Sequence, residues 1–372
     1  MTARPAPPPH RPVGLVANPA SGRDIRRLVA EGATVTTNDK VSILRRVLAG
    51  LGATGVERVI SMTDLSGISG ALEAMAGRPT AARWPKLEFV ERPLERGPGD
   101  TTAAVEEMVA AGVAAIVVLG GDGTNRLVAA SCGDTPVLPI STGTNNAFPR
   151  AAEPTTAGLA AGLVATGRLD ANDVATRAKL LALAVGRRTE VAVVDVAVGP
   201  GSRIGAGAIW DPDAVHELFL CFAEPGAIGL SSIGAQLEPV GRADPFGLHL
   251  SLGPIAPRPC RGATLLVPIG PGLVEPVAVA DHRRLQPGRP VPVGAVQGLL
   301  ALDGERMIRF GPGDRPTVTL RLDGPLVIDT TAAIDRAARA GLFRLAHPAT
   351  TGREPTGHRP ETSESETERC QN

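Results

Sequence analysis

Gly120-Gly121-Asp122-Gly123-Thr124-Asn125 follows directly on the apolar run at residues 114–119, so a buried strand empties into a turn with three glycines in four positions and one carboxylate. Glycines remove the Cβ atoms that would keep a polyphosphate away from backbone N–H groups, and they permit positive φ. The chemistry suggested is phosphate binding, with the catalytic acid Asp122 projecting toward a metal-bound phosphoryl group. Residues 126–130 read as the first turn of a helix whose unpaired N–H groups and positive dipole end favour an anion. The alternative reading of the segment is a tight strand-to-helix turn with a solvated Asp.

Two other polar turns have the composition of phosphate or nucleoside ligands. Asn18-Pro19-Ala20-Ser21-Gly22 offers a side-chain amide and a small hydroxyl that can reach phosphate oxygens without bulk, although an ordinary turn has the same residues. Ser141-Thr142-Gly143-Thr144-Asn145-Asn146 offers hydroxyls and amides for ribose, base edges and phosphates without added negative charge, or else caps its own backbone. Asp303-Gly304-Glu305, between two apolar runs, reads structurally as an Asp-Gly hairpin turn.

These turns need a frame. Apolar runs at 13–17, 56–62, 87–90, 114–119 and 136–140 read as strands, and helical spacing appears at 40–51, 64–76, 101–111 and 156–166. Alternation of this kind argues for a doubly wound, Rossmann-like α/β domain with ligands at the carboxyl ends of a parallel sheet, where Asn18 and Asp122 would both stand. Beyond Lys179 short apolar runs at 180–185, 189–198, 248–252, 263–267, 276–280, 298–303, 306–310 and 317–322 indicate an antiparallel β-rich domain. The expected organisation is a flexible lead at 1–12, a nucleotide-binding α/β domain at 13–170, a β-rich substrate domain at 171–328, a helix at 329–348 returning to the first domain, and a disordered tail at 349–372.

Composition narrows the function. A chain of 372 residues is long for one core. With 38 Lys+Arg against 38 Asp+Glu there is no basic excess for gripping a nucleic-acid backbone. Cys132, Cys221, Cys260 and Cys370 form no C-x-x-C pair, which argues against a disulfide framework or zinc site and fits a reducing cytoplasm. No stretch approaches the roughly 18 apolar residues that span a bilayer, and the proline-rich start lacks a signal-peptide core, so a soluble, cytoplasmic protein with no membrane partner is expected. Tyrosine is absent, and with only two Trp and seven Phe, stacking on a ligand would use a scarce residue.

Taken in order, the turns resemble those of the superfamily that contains NAD kinases, diacylglycerol kinases and sphingosine kinases. Asn18–Gly22 resembles its N-P-x-S-G turn, Gly120–Thr124 its GGDGT fingerprint, residues 141–146 the G-T-x-N-D turn with Asn146 in place of Asp, and Asp303-Gly304-Glu305 the D-G-E hairpin. Residues 192–198 resemble the A-L-N-E-V-V-V strand of NAD kinases, with Val194 for Asn and Asp195 for Glu. Residues 225–234 resemble the G-S-T-A-Y-x-L-S-A-G segment, with Leu230 near the missing Tyr. Together with Trp210-Asp211-Pro212 and Phe222-Ala223-Glu224-Pro225, the set is most similar to the acetoin-catabolism protein X branch beside the ATP-NAD kinases, over roughly residues 13–345.

The resemblance implies phosphoryl transfer from Mg-ATP to a hydroxyl, with NAD or an acetoin-linked compound as acceptor. Asp122 and Glu305 become the catalytic pair, Asp122 acting directly or through Mg2+. Asn18, Ser21, Gly22, Gly120, Gly121, Gly123, Thr124, Asn125, Thr142, Gly143, Thr144, Asn145 and Asn146 become the nucleotide and phosphate ligands. Asp195, Ser231 and Asp303 become the acceptor side. A homo-oligomer is also implied. Two other readings stand beside this one: a lipid kinase of diacylglycerol type, which the first domain and Asp-Gly-Glu suit as well, and a non-catalytic nucleotide sensor, which the losses at Val194 and Leu230 would fit.

Overall fold

The computed structural model describes residues 11–19, 35–142, 146–200, 212–253 and 262–344. Ser21, Gly22, Gly143, Thr144, Asn145, Trp210 and Asp211 lie outside the described residues. In chain order the first part comprises β1 (Val13–Ala17), α1 (Thr37–Ala53), β2 (Arg58–Ser61), α2 (Ile68–Ala76), β3 (Lys86–Phe89), α3 (Pro98–Ala110), β4 (Ala115–Gly120), α4 (Asp122–Ser131), β5 (Val137–Ser141), α5 (Pro154–Ala165) and α6 (Ala171–Val174). There follow β6 (Ala175–Arg177), β7 (Leu180–Val185), β8 (Arg188–Ala192), β9 (Asp195–Gly199), β10 (Glu217–Leu220), α7 (Ser231–Ala235), β11 (Gly247–Leu252), β12 (Ala263–Gly270) and β13 (Leu273–Leu285). The last part holds β14 (Val291–Pro292), β15 (Gly298–Leu302), β16 (Arg306–Phe310), β17 (Thr317–Arg321), β18 (Leu326–Ile328) and α8 (Thr330–Arg339).

The α/β half is a seven-stranded sheet in the order β3-β2-β1-β4-β5-β18-β6. All its pairings are parallel except that of β18 with β6. Its central strands are apolar throughout because helices cover both faces. Leu44, Leu48 and Leu51 of α1 pack with Leu163 of α5 and Ala333 of α8 on one face, and Val105 and Met108 of α3 with Val128 of α4 on the other. Helix α1 starts where Thr36 and Asp39 cap each other reciprocally.

The β-rich half has two antiparallel sheets, β12-β13-β11-β10-β9-β15-β16 and β14-β17-β7-β8. Phe219, Leu300, Leu181 and Leu320 fill the space between them, while α7 covers the other face of the larger sheet through Ile233.

Two details depart from the sequence pattern. The single strand expected at 189–198 is two strands in different sheets, β8 and β9, broken at Val193-Val194. The first sheet also extends past the expected boundary near residue 170, because β6 and β18 are added at its β5 edge. Three-residue strands leave no periodicity to detect, and only the pairing of Val327 with Val137 reveals the placement of β18. At the C-terminal end of the described residues, Ala333 and Ala337 of α8 are fully buried in the core that contains α5.

Candidate active site

The glycine turn is built by close approach rather than by unusual dihedrals. Gly121 precedes α4 with φ −90°, and none of Gly120, Gly121 and Gly123 uses the positive φ that glycine permits. A Cβ on Gly120 would fall 2.6 Å from the Thr124 Cβ, one on Gly121 2.9 Å from Asn146 Oδ1, and one on Gly123 would overlap Glu305 Oε2. Each glycine thus makes room for a different predicted residue.

The first two polar turns meet at the carboxyl edge of the parallel sheet. Asn18 Nδ2 donates to Thr124 Oγ1 at 2.9 Å, joining the end of β1 to the first turn of α4. Lys40, 2% exposed, donates from Nζ to the carbonyls of Asn18 and Pro19 at 3.1 and 2.7 Å, so α1 holds this turn from beneath. Asn125 turns inward and donates to the Gly121 carbonyl at 2.9 Å, and Asn146 donates to Ser141 Oγ at 3.0 Å. Thr142, at the end of β5, is 1% exposed, and its Oγ1 has no hydrogen-bond partner among the described residues.

Asp122 does not project into open space. Its carboxylate is buried and accepts the N–H groups of Ala147, at 3.0 and 3.1 Å, and Phe148, at 2.8 Å. On the other side of the same segment Arg242, from the β-rich half, donates to the carbonyls of Phe148 and Ala147 at 2.7 and 2.5 Å. Ala147 C=O and Phe148 N–H belong to one peptide group, so a guanidinium and a carboxylate polarise it from its two ends.

The hairpin between β15 and β16 delivers two carboxylates to different places. Glu305 N–H closes the turn on the Leu302 carbonyl at 3.1 Å, with Asp303 and Gly304 at φ 51° and 72°. Asp303 points inward and gathers the N–H groups of Val193, Val194 and Asp195 at 2.8–3.2 Å, which is why β8 and β9 separate there. Burial pushes its carboxyl well above the ordinary carboxylate value, assisted by the negative charges of Asp195 and Asp122. Arg126, 8% exposed, lies between Asp303 and Glu190 at 3.9 and 3.8 Å, its Nε without a hydrogen bond among the described residues. Glu305, by contrast, is exposed and stands over Gly123 at the amino terminus of α4.

A cleft of about 860 Å³ opens there, with Asn18, Gly123, Thr124 and Arg126 on one wall and Glu305 and Met307 on the other. Asp122 is not part of its lining. Asp195 is also outside the lining, although its charge reaches Asp303. Ser231 is 2% exposed in α7 and is not brought to the cleft. Val194 and Leu230 are core side chains, 2% and 7% exposed, packed on opposite faces of the larger β sheet. Lys40, Arg126 and Arg242 were not singled out by motif. Only Arg126 had a usable signal, one helical turn after Asp122.

Among the described residues no three His, Cys, Asp or Glu are grouped to hold a metal ion. At the cleft the α4 amino terminus, the amide of Asn18 and the hydroxyl of Thr124 are donors suited to phosphate or sugar oxygens. Mg2+ would then be held by nucleotide phosphates with few protein ligands.

Residues 13–169 match the family described as ATP-NAD kinase N-terminal domain, and residues 179–323 match the acetoin catabolism protein X C-terminal domain. Acetoin catabolism protein X of Cupriavidus necator is 43% identical over 353 residues, covering 91% of this chain and 96% of that protein. Among solved structures, "Crystal structure of a putative diacylglycerol kinase from Bacillus anthracis str. Sterne" aligns over 86% of this chain and 98% of its own, with 13% identity and a TM-score of 0.43.

Proposed function

The chain belongs to the family of acetoin catabolism protein X, and from that premise we propose that it transfers a phosphoryl group from ATP to a hydroxyl, on NAD or on an acetoin-linked compound, in the cleft beside α4. The observation that carries this reading is Glu305, an exposed carboxylate from one half of the molecule set over the helix amino terminus of the other. Phosphoryl transfer requires mainly positioning and electrostatic help. The α4 N–H groups and Arg126 attract the phosphates, and Asn18 and Thr124 fix the turn that receives them. Mg2+ bound with the nucleotide would neutralise charge on the transferred group. Glu305 accepts the acceptor hydroxyl's proton as the new O–P bond forms and the bond to the leaving diphosphate breaks. Asp122 holds the Ala147-Phe148 peptide in register with α4.

The apolar burial of Val194 and Leu230 supports an acceptor bound differently from NAD in NAD kinases. The test is NADP formation from Mg-ATP and NAD by the purified protein, beside labelled phosphate transfer to acetoin-derived alcohols, with Glu305→Gln as control. We expect the control to fall by about 100-fold or more with nucleotide affinity retained. No transfer to any acceptor above that control would sink the proposal. Nucleotide binding without turnover would instead favour a sensor, the reading that the backbone-bonded carboxylate of Asp122 supports.

A further inference from the structure

Behind Asp122, on the far side of the Ala147-Phe148 peptide, lies a second cavity of about 500 Å³ between the β18–β6 edge of the first sheet and the loop at residues 241–244. Phe148 and Phe222 contribute rings, 2% and 3% exposed, and Ile328 adds apolar wall. Lys179 and Arg242 contribute cations. Arg242 sits over the Phe222 ring at 4.5 Å and the Phe148 ring at 5.9 Å.

Lys179 is 4% exposed, and Nζ donates to the carbonyls of Gly241 and Phe246, each at 2.8 Å. Among the described residues it has no carboxylate partner in hydrogen-bond contact. The neighbouring carboxylates are engaged elsewhere. Asp244 caps the Gly241 N–H, Glu153 caps α5, Asp329 caps α8 and pairs with Arg150, and Glu224 is shared by Arg150 and Arg242. A buried ammonium without a counter-ion is unfavourable, and burial accordingly pushes the Lys179 amine down to about 8. The groups acting on it are the Cys221 thiol, Asp244, Glu224 and Arg242, and burial holds the thiol well above its ordinary value, hence neutral. Among the described residues Arg242 uses one N–H on Glu224 and two on backbone carbonyls, leaving two of its five.

We propose that this cavity binds a small organic anion, its carboxylate taken by Lys179 and Arg242 and its apolar body lying against Phe148 and Phe222. The cavity is of small-molecule size, with apolar walls and few convergent polar groups. The ligand supplies the missing counter-charge. It does so independently of phosphoryl transfer, so the site stands or falls apart from the proposed reaction.

Calorimetry on the full-length protein, without nucleotide, tests this with benzoate as the probe, benzyl alcohol as its neutral counterpart, and inorganic phosphate as an anion without an apolar body. Benzoate should bind at pH 7 at least tenfold more tightly than either. Its affinity should fall about tenfold between pH 7 and 9 as Lys179 loses its proton, and Lys179→Met should lower the affinity at pH 7 at least tenfold and flatten the profile. Equal binding of benzyl alcohol, equal binding of phosphate, no benzoate binding, or a pH-independent affinity would each overturn the proposal. Unchanged affinity in Lys179→Met would do the same. If that variant does not fold, the wild-type pH profile and the two comparison ligands decide.

Discussion

Gly123 has no room for a side chain because Glu305 stands over it, and the obstructing atom is the far end of an exposed side chain. Gly123→Ala should therefore keep the fold, with unfolding free energy within about 1 kcal/mol of wild type by urea titration, since Ala is also the better helix former. Displacement of Glu305 should lower any phosphotransfer to the level of Glu305→Gln. A large loss of stability instead would mean that the turn cannot accommodate the shift. Lys179 makes a second prediction at this scale. Its folded value is about 8 against an ordinary 10.5, so between these limits the unfolded chain binds more protons and this group makes stability rise with pH. The wild-type melting temperature should gain on that of Lys179→Met as pH goes from 8 to 10, and a constant difference would refute the assignment.

At the scale of elements, two contacts set the geometry around the cleft. Helices α1 and α5 meet backbone to backbone: a Cβ on Gly158 would overlap the Val47 carbonyl, and one on Gly50 the Thr155 carbonyl. Neither neighbour can swing away. Gly158→Ala should therefore cost about 1–3 kcal/mol by forcing the helices apart, measured as a lower urea midpoint at unchanged slope. The second contact is Arg242, which carries the 241–244 loop onto the peptide that Asp122 holds. Removing the charge in Arg242→Gln should weaken that peptide's bonds, and hydrogen exchange at the Phe148 amide should speed up by about tenfold or more. Exchange as slow as in wild type would show that Asp122 alone fixes the segment.

At the scale of the molecule, the two halves are interleaved, because the chain leaves the first sheet after β6 and returns to it as β18 and α8. A fragment ending at residue 170 lacks β18, β6 and the helix whose Ala333 and Ala337 complete the core against α5. It should lack a cooperative thermal transition, whereas a chain retaining β18 and α8 should show one. A sharp transition in the short fragment would mean that β1–β5 suffice. The same interleaving lets a loop of one half brace the candidate acid of the other and a hairpin place Glu305 in the cleft.

The strand-to-glycine-turn junction at 114–124, the helical periodicities, the change of texture after Lys179 and the Asp-Gly hairpin were all legible in the chain, because each depends on neighbours within a few residues. So was the family resemblance, which rests on short turns in order. Which way the carboxylates face was not legible. The carboxylate of Asp122 is held by backbone N–H groups, while Asp303 and Glu305, two residues apart, divide between a buried junction and the open cleft. The roles of Lys40, Lys179 and Arg242 were hidden for the same reason. A side chain's partner is set by what distant segments bring against it, and a buried polar group takes whichever complement tertiary packing supplies.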